Sequence, residues 1–199
     1  MQTETEAKNK LTVEVASLYP PQGEWSEHDY FTLPDTNHYL ELSEGRLIMP
    51  PHPTFTHQEV LKRLFLQMHA FVERNLLGII EMAPLPVRLW AGKIREPDIF
   101  FIGKGHADRI GEQFCGVPDL IVEIISSGTR RVDRTEKFYE YAKAGVREYW
   151  MVDHDEKSIE VHTLKEGAYI LPGKYSPGQV AKSEILSGFD VAVKELFLP

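Results

Sequence analysis

The sequence predicts an α/β domain of the α+β type built on a mixed β-sheet, and three observations predict it. Helix-period stretches alternate with short apolar runs in the order helix, three strands, helix, strand. The runs PDIFFIG and DLIVEIIS are apolar without alternation, as strands covered on both faces are. The 199 residues fit one unit at roughly 100–200 residues per domain, and 42% apolar content supplies one core.

Residues 1–25 mix charge, proline and isolated apolar positions, and are expected to be flexible or loosely packed, with a single domain over 26–199. Ser26, followed by Glu27 and Asp29, predicts a short capped helix that ends before Leu33 and Pro34. HYLELSEGRLIMP reads as an extra N-terminal hairpin turning at Ser43, Glu44 and Gly45. Thr56 with Glu59 forms a capping-box pattern, and Val60, Leu61, Leu64, Phe65, Met68, Phe71 and Val72 recur at helical spacing up to a stop at Gly78. GIIEMAPLPVRLW predicts a strand broken by Pro84 and Pro86, suited to an edge or a bulge. A second helix is expected from Asp133, with Glu136 at the capping-box position, to Gly145. VREYWMVD then makes a central strand, SIEVHTL pairs with it, and the tail forms a hairpin or short strands closing one end.

Cys115 is the only cysteine, which excludes an intramolecular disulfide and any multi-cysteine zinc site and favours a cytoplasmic setting. The eight histidines include no i, i+4 pair, so zinc is not expected. No apolar run approaches the roughly 18 residues of a membrane span, and no secretory signal is expected. The net charge of -8 opposes non-specific binding to nucleic acid. Positive charge is concentrated in SSGTRRVDRTEK, where Arg130, Arg131 and Arg134 could meet backbone phosphates or cover a solvated loop.

Glu123 is the most informative residue. In LIVEII, a strand buried on both faces would bury its carboxylate too, and an unpaired ionised carboxylate there costs several kcal/mol, so it needs a cation or a donor. Asp98 follows Pro97 at the head of the preceding apolar run, 25 positions earlier, so both acids can reach one side of adjacent strands. Lys137 lies one turn into the second helix, at the edge of its inward stripe and on one face with Tyr141, from where its ammonium can point toward Glu123. Two acids and a lysine are what metal-assisted phosphodiester hydrolysis requires. Mg²⁺ takes hard oxygen ligands and polarises the phosphoryl oxygen, while an ammonium orients the nucleophile or neutralises developing charge.

With Pro97-Asp98 and Glu123 on successive strands, this order of elements resembles the PD-(D/E)xK nuclease superfamily. More narrowly, LELSEGRLIMPP, EPDIFFI, VPDLIVEIISSGTRRVDRTEKFYEYAKAGVREYWMVD and IEVHTL resemble the Uma-type family of restriction-endonuclease-like proteins, over about residues 25–199. The resemblance implies a restriction-endonuclease-like core, Mg²⁺ or Mn²⁺ held by Asp98 and Glu123, DNA as substrate and a homodimer. Ile125 stands where the superfamily's lysine usually does, and in this family the matching lysine comes from the next helix, here Lys137. The resemblance also puts Glu41 near the site as an extra ligand or supporting acid, although strand alternation equally allows it to face outward. His57 opens the long helix, where the N-terminus can present an anion site, or is an ordinary surface histidine. Trp25 and Trp90 are expected to be exposed and to leave room for a symmetric dimer.

The leading expectation is thus a metal-dependent endonuclease. The alternative is a catalytically silent module that keeps the nuclease fold for binding or assembly, with Glu123 and Lys137 as a structural ion pair. A third reading substitutes RNA or an unusual DNA as substrate.

Overall fold

The computed structural model of the chain describes residues 19–34 and 39–197. Ser26 caps α1 (Glu27–Phe31) by exchanging hydrogen bonds with Asp29, as its sequence position predicts. The hairpin of β1 (Glu41–Ser43) and β2 (Arg46–Ile48) turns at Glu44 and Gly45, with φ of 51° and 71°. The Gly45 carbonyl accepts from Gly23 N at 2.7 Å and Trp25 N at 3.0 Å, which ties residues 23–25 to the hairpin. Trp25 is buried with Tyr30, Leu42 and Ile94, and Tyr19 stacks on it. Of the segment expected to be loose, Trp25 is buried, residues 19–24 are exposed or half-buried, and residues 1–18 lie outside the described residues. Trp90 is half-buried beneath the ammonium groups of Lys143 and Lys93. Neither tryptophan is the exposed aromatic expected from the sequence.

The long helix α2 (Phe55–Asn75) buries the expected stripe of Val60, Leu61, Leu64, Met68 and Val72. Its cap is Thr54, whose hydroxyl accepts from His57 N at 3.2 Å, and not Thr56. Glu59, the residue proposed to reach back to Thr56, instead pairs with Lys62 and Arg63 on its own helix. Left-handed Leu76 closes α2, and Gly78 opens the next strand.

The segment broken by prolines becomes two strands, β3 (Gly78–Met82) and β4 (Val87–Trp90), which belong to different sheets. After β5 (Lys93–Arg95) come the two apolar strands β6 (Ile99–Gly103) and β7 (Leu120–Ile125). The next helix begins at Arg130, three residues before the predicted Asp133. It runs as α3 (Arg130–Val132), a π-helical turn (Asp133–Lys137) and α4 (Phe138–Ala144), and ends on left-handed Gly145 as expected. There follow β8 (Glu148–Asp153), β9 (Ser158–Lys165), β10 (Ala168–Tyr175), β11 (Val180–Lys182), β12 (Asp190–Ala192) and α5 (Val193–Leu196).

The main sheet has the order β10-β9-β8-β7-β6-β3, and β3 lies at an edge as its flanking prolines predict. Among the described strands of this sheet only β7 and β8 pair in parallel, since the helix between them crosses over. A four-stranded sheet of order β2-β1-β5-β4 and a pair β11-β12 complete the architecture. One face of the main sheet packs Ile99, Phe101, Val122 and Trp150 against α2. The other packs Phe100, Ile121, Ile125 and Met151 with Tyr141 of α4. Buried side chains of this size each contribute about 1.5–3 kcal/mol, so both faces fix the strand register that positions Glu123.

Candidate active site

Asp98 and Glu123 meet because of that register. Ile99 is paired with Val122 in an antiparallel ladder, so the residue before Ile99 lies across from the residue after Val122. Asp98 Oδ2 accepts from Ile124 N at 2.6 Å, which ties its carboxylate to β7 beside Glu123. Alternation in β7 turns Glu123 to the face of Ile121 and Ile125, the side covered by α4. There Glu123 Oε1 accepts from Lys137 Nζ at 2.9 Å and from the Tyr141 hydroxyl at 2.6 Å.

Lys137 is buried, and its ammonium also lies 3.4 Å from Asp133 Oδ1 and 3.6 Å from Glu41 Oε1. Three carboxylates therefore surround one ammonium. Those charges hold the lysine well above its ordinary range although burial acts the other way. Burial pushes the Glu123 carboxyl up to about 8, with Asp133 and Asp98 adding to the rise and Lys137 and Tyr141 opposing it. Beneath Lys137 lies a second layer of charge. Buried Glu41 accepts from Arg95 at 2.6 Å, and Arg95 also grips Glu140 through two nitrogens at 2.8 and 3.0 Å. Glu41 accordingly faces the site and not solvent.

These groups lie along a cleft of about 550 Å³, whose lining includes Glu41, Glu96, Asp98, Glu123, Asp133 and Lys137. His57 reaches into it from the start of α2 and stands 3.1 Å from Asp98 Oδ1, so it is a cleft residue and not a surface histidine. Glu96 is held by the Tyr30 hydroxyl at 3.1 Å, and burial together with the Glu41 charge pushes its carboxyl up to about 7. The arginines are engaged elsewhere. Arg130 pairs with Asp153, Asp155 and Glu156, Arg134 with Glu160, and the largely exposed Arg131 with Glu136.

The sequence reading thus found Asp98, Glu123, Lys137, Glu41 and His57, which converge on the cleft, and missed Asp133, Glu96, Arg95 and the hydroxyl of Tyr141. Asp133, four residues before Lys137, carried a helical-spacing signal, but it was assigned to a helix cap. The donor set suits a hard divalent cation, being made of carboxylate oxygens. One of these oxygens, Glu96 Oε2, is buried without a hydrogen bond among the described residues, and Asp133 Oδ1 has only the Lys137 ammonium at 3.4 Å; both residues line the cleft. Among the described residues no three Asp, Glu, His or Cys side chains stand together as a complete ligand shell.

A mixed sheet with α2 on one face and a crossover helix on the other, and with acids on adjacent strands at its centre, defines a restriction-endonuclease-like α+β protein. The chain belongs to the Uma2 family, described as "Putative restriction endonuclease", whose model matches residues 27–194. A crystal structure from Anabaena variabilis ATCC 29413, described as a putative nuclease belonging to DUF820, is similar with a TM-score of 0.73 and 21% identity. The similarity covers 86% of this chain and 97% of that one, and at this identity it is a likeness of fold. No curated protein matches the chain.

Proposed function

We propose that the chain is a divalent-metal-dependent endonuclease that hydrolyses DNA phosphodiester bonds, with Mg²⁺ or Mn²⁺ held by Asp98 and Glu123. The observation that carries this reading is the meeting of Asp98, Glu123 and Lys137 in one cleft, from two strands and a helix. Membership of a family described as "Putative restriction endonuclease" supports it. When bound, the cation would polarise the phosphoryl oxygen and acidify a water. Lys137, ringed by Glu123, Asp133 and Glu41, keeps its proton and serves as a fixed positive charge beside the phosphate, where negative charge gathers during attack. Asp98 is oriented by Ile124 N and His57, so its carboxylate needs little rearrangement to bind.

The test is incubation of the purified protein with plasmid DNA and Mn²⁺. Cleavage is expected, and Asp98→Ala and Glu123→Ala should each abolish it. Cleavage that persists unchanged in both variants removes these residues from the mechanism. A matched RNA substrate in the same assay separates the two nucleic acids, and sedimentation tests the homodimer that belongs to this reading.

The 2.9 Å contact of Lys137 with Glu123 also favours a second reading, a catalytically silent module in which the pair is purely structural. Calorimetric titration with Mn²⁺ distinguishes them, because the silent module takes up no cation.

A further inference from the structure

Both donors that reach Glu123 act on the same oxygen. Lys137 Nζ and the Tyr141 hydroxyl converge on Oε1, and among the described residues Oε2 accepts no hydrogen bond. Two donors arriving from one helix fix the rotation of the carboxyl plane, and the unengaged oxygen is left to the cleft that Glu123 lines. Tyr141 is fully buried, and packing alone would have required only that its hydroxyl find some acceptor. The neighbouring buried Tyr149 shows that simpler solution, since its hydroxyl donates to the backbone carbonyl of Asp133 at 3.2 Å.

We infer that Tyr141 is a positioning residue, which holds Glu123 so that Oε2 is presented to a divalent cation in the cleft. The inference rests on the metal-dependent reading above. It assigns the tyrosine hydroxyl a role that neither the ring nor the helix can supply.

The experiment is calorimetric titration of Mn²⁺ into wild type, Tyr141→Phe and Tyr149→Phe, without nucleic acid, each shown by circular dichroism to be folded at the titration temperature. Each variant loses one hydroxyl and keeps its ring. Tyr141→Phe should weaken Mn²⁺ binding by roughly 10–100-fold, the usual effect of removing a partner that orients a ligand. Tyr149→Phe should stay within about twofold of wild type, because its hydroxyl meets only the backbone carbonyl of Asp133 and no carboxylate. Wild-type affinity in Tyr141→Phe overturns the inference, as does equal weakening in Tyr149→Phe. A wild-type protein that takes up no Mn²⁺ overturns the metal-dependent reading itself, so the two failures are told apart.

Discussion

Arg95 is 1% exposed and holds Glu41 and Glu140 together beneath the cleft. Removing one member of a buried charge network leaves its partners uncompensated, which costs about 3–5 kcal/mol. Lys93 still meets Glu140 and Lys137 still meets Glu41, so Arg95→Met should lose about 3 kcal/mol, the low end of that range. Urea unfolding at neutral pH checks this, and a loss below about 1 kcal/mol, the value of exposed pairs, would show that the network is not a unit. The legibility of single residues followed from how anomalous each was locally. Glu123 stood out because a carboxylate within LIVEII has no local explanation. Asp98 gained meaning only as its neighbour across the register. Arg95 sits in GKIREP, a polar stretch in which nothing local marks it as buried. Its burial comes from strand β5 entering a second sheet, which is a tertiary fact.

At the scale of elements, the start of α2 governs where His57 stands. The Thr54 hydroxyl accepts from His57 N, and Thr54→Ala should cost about 1 kcal/mol of stability through the lost cap. Thr56→Ala should cost less, and urea midpoints of the two variants compare them directly. Equal losses would return the cap to the position read from sequence. The capping-box pattern misled twice for one reason, namely that each helix starts upstream, at Phe55 and at Arg130, so Thr56 and Asp133 already lie inside it and their acids are free to pair elsewhere. Glu59 is taken by Lys62 and Arg63, and Glu136 by Arg131. The long helix, the hairpin and the two apolar strands were legible because their patterns run over many residues. The π-helical turn was not, since a single extra residue per turn leaves no mark on a short pattern. Yet that turn carries both Asp133 and Lys137 toward Glu123, and π-helical turns often occur at functional sites.

The whole molecule carries a charge of -8, and its distribution constrains how a polyanion can be bound. Among the described residues the cleft is lined by Glu41, Glu96, Asp98, Glu123, Asp133 and Asp155, with Lys137 as its only lysine or arginine. That ammonium is already shared by three carboxylates, and Arg130 and Arg134 are paired with acids of β8, β9 and the turn between them. A protein that tracks duplex DNA through 6–10 phosphate contacts loses about 10³–10⁵ in affinity between 50 and 200 mM salt. Among the described residues this cleft has no such set of lysines and arginines, so it would depend on divalent ions to bring the phosphate in. Binding of a fluorescent duplex of about 20 base pairs, measured with Ca²⁺ to hold back hydrolysis, should therefore weaken at least about tenfold when EDTA replaces the ion. With Ca²⁺ present, the slope of log affinity against log salt should correspond to about two phosphates or fewer. Binding that ignores EDTA and falls with a slope of six or more phosphates would place the DNA on another, basic surface, and the acidic cleft would then contact no more than the scissile bond.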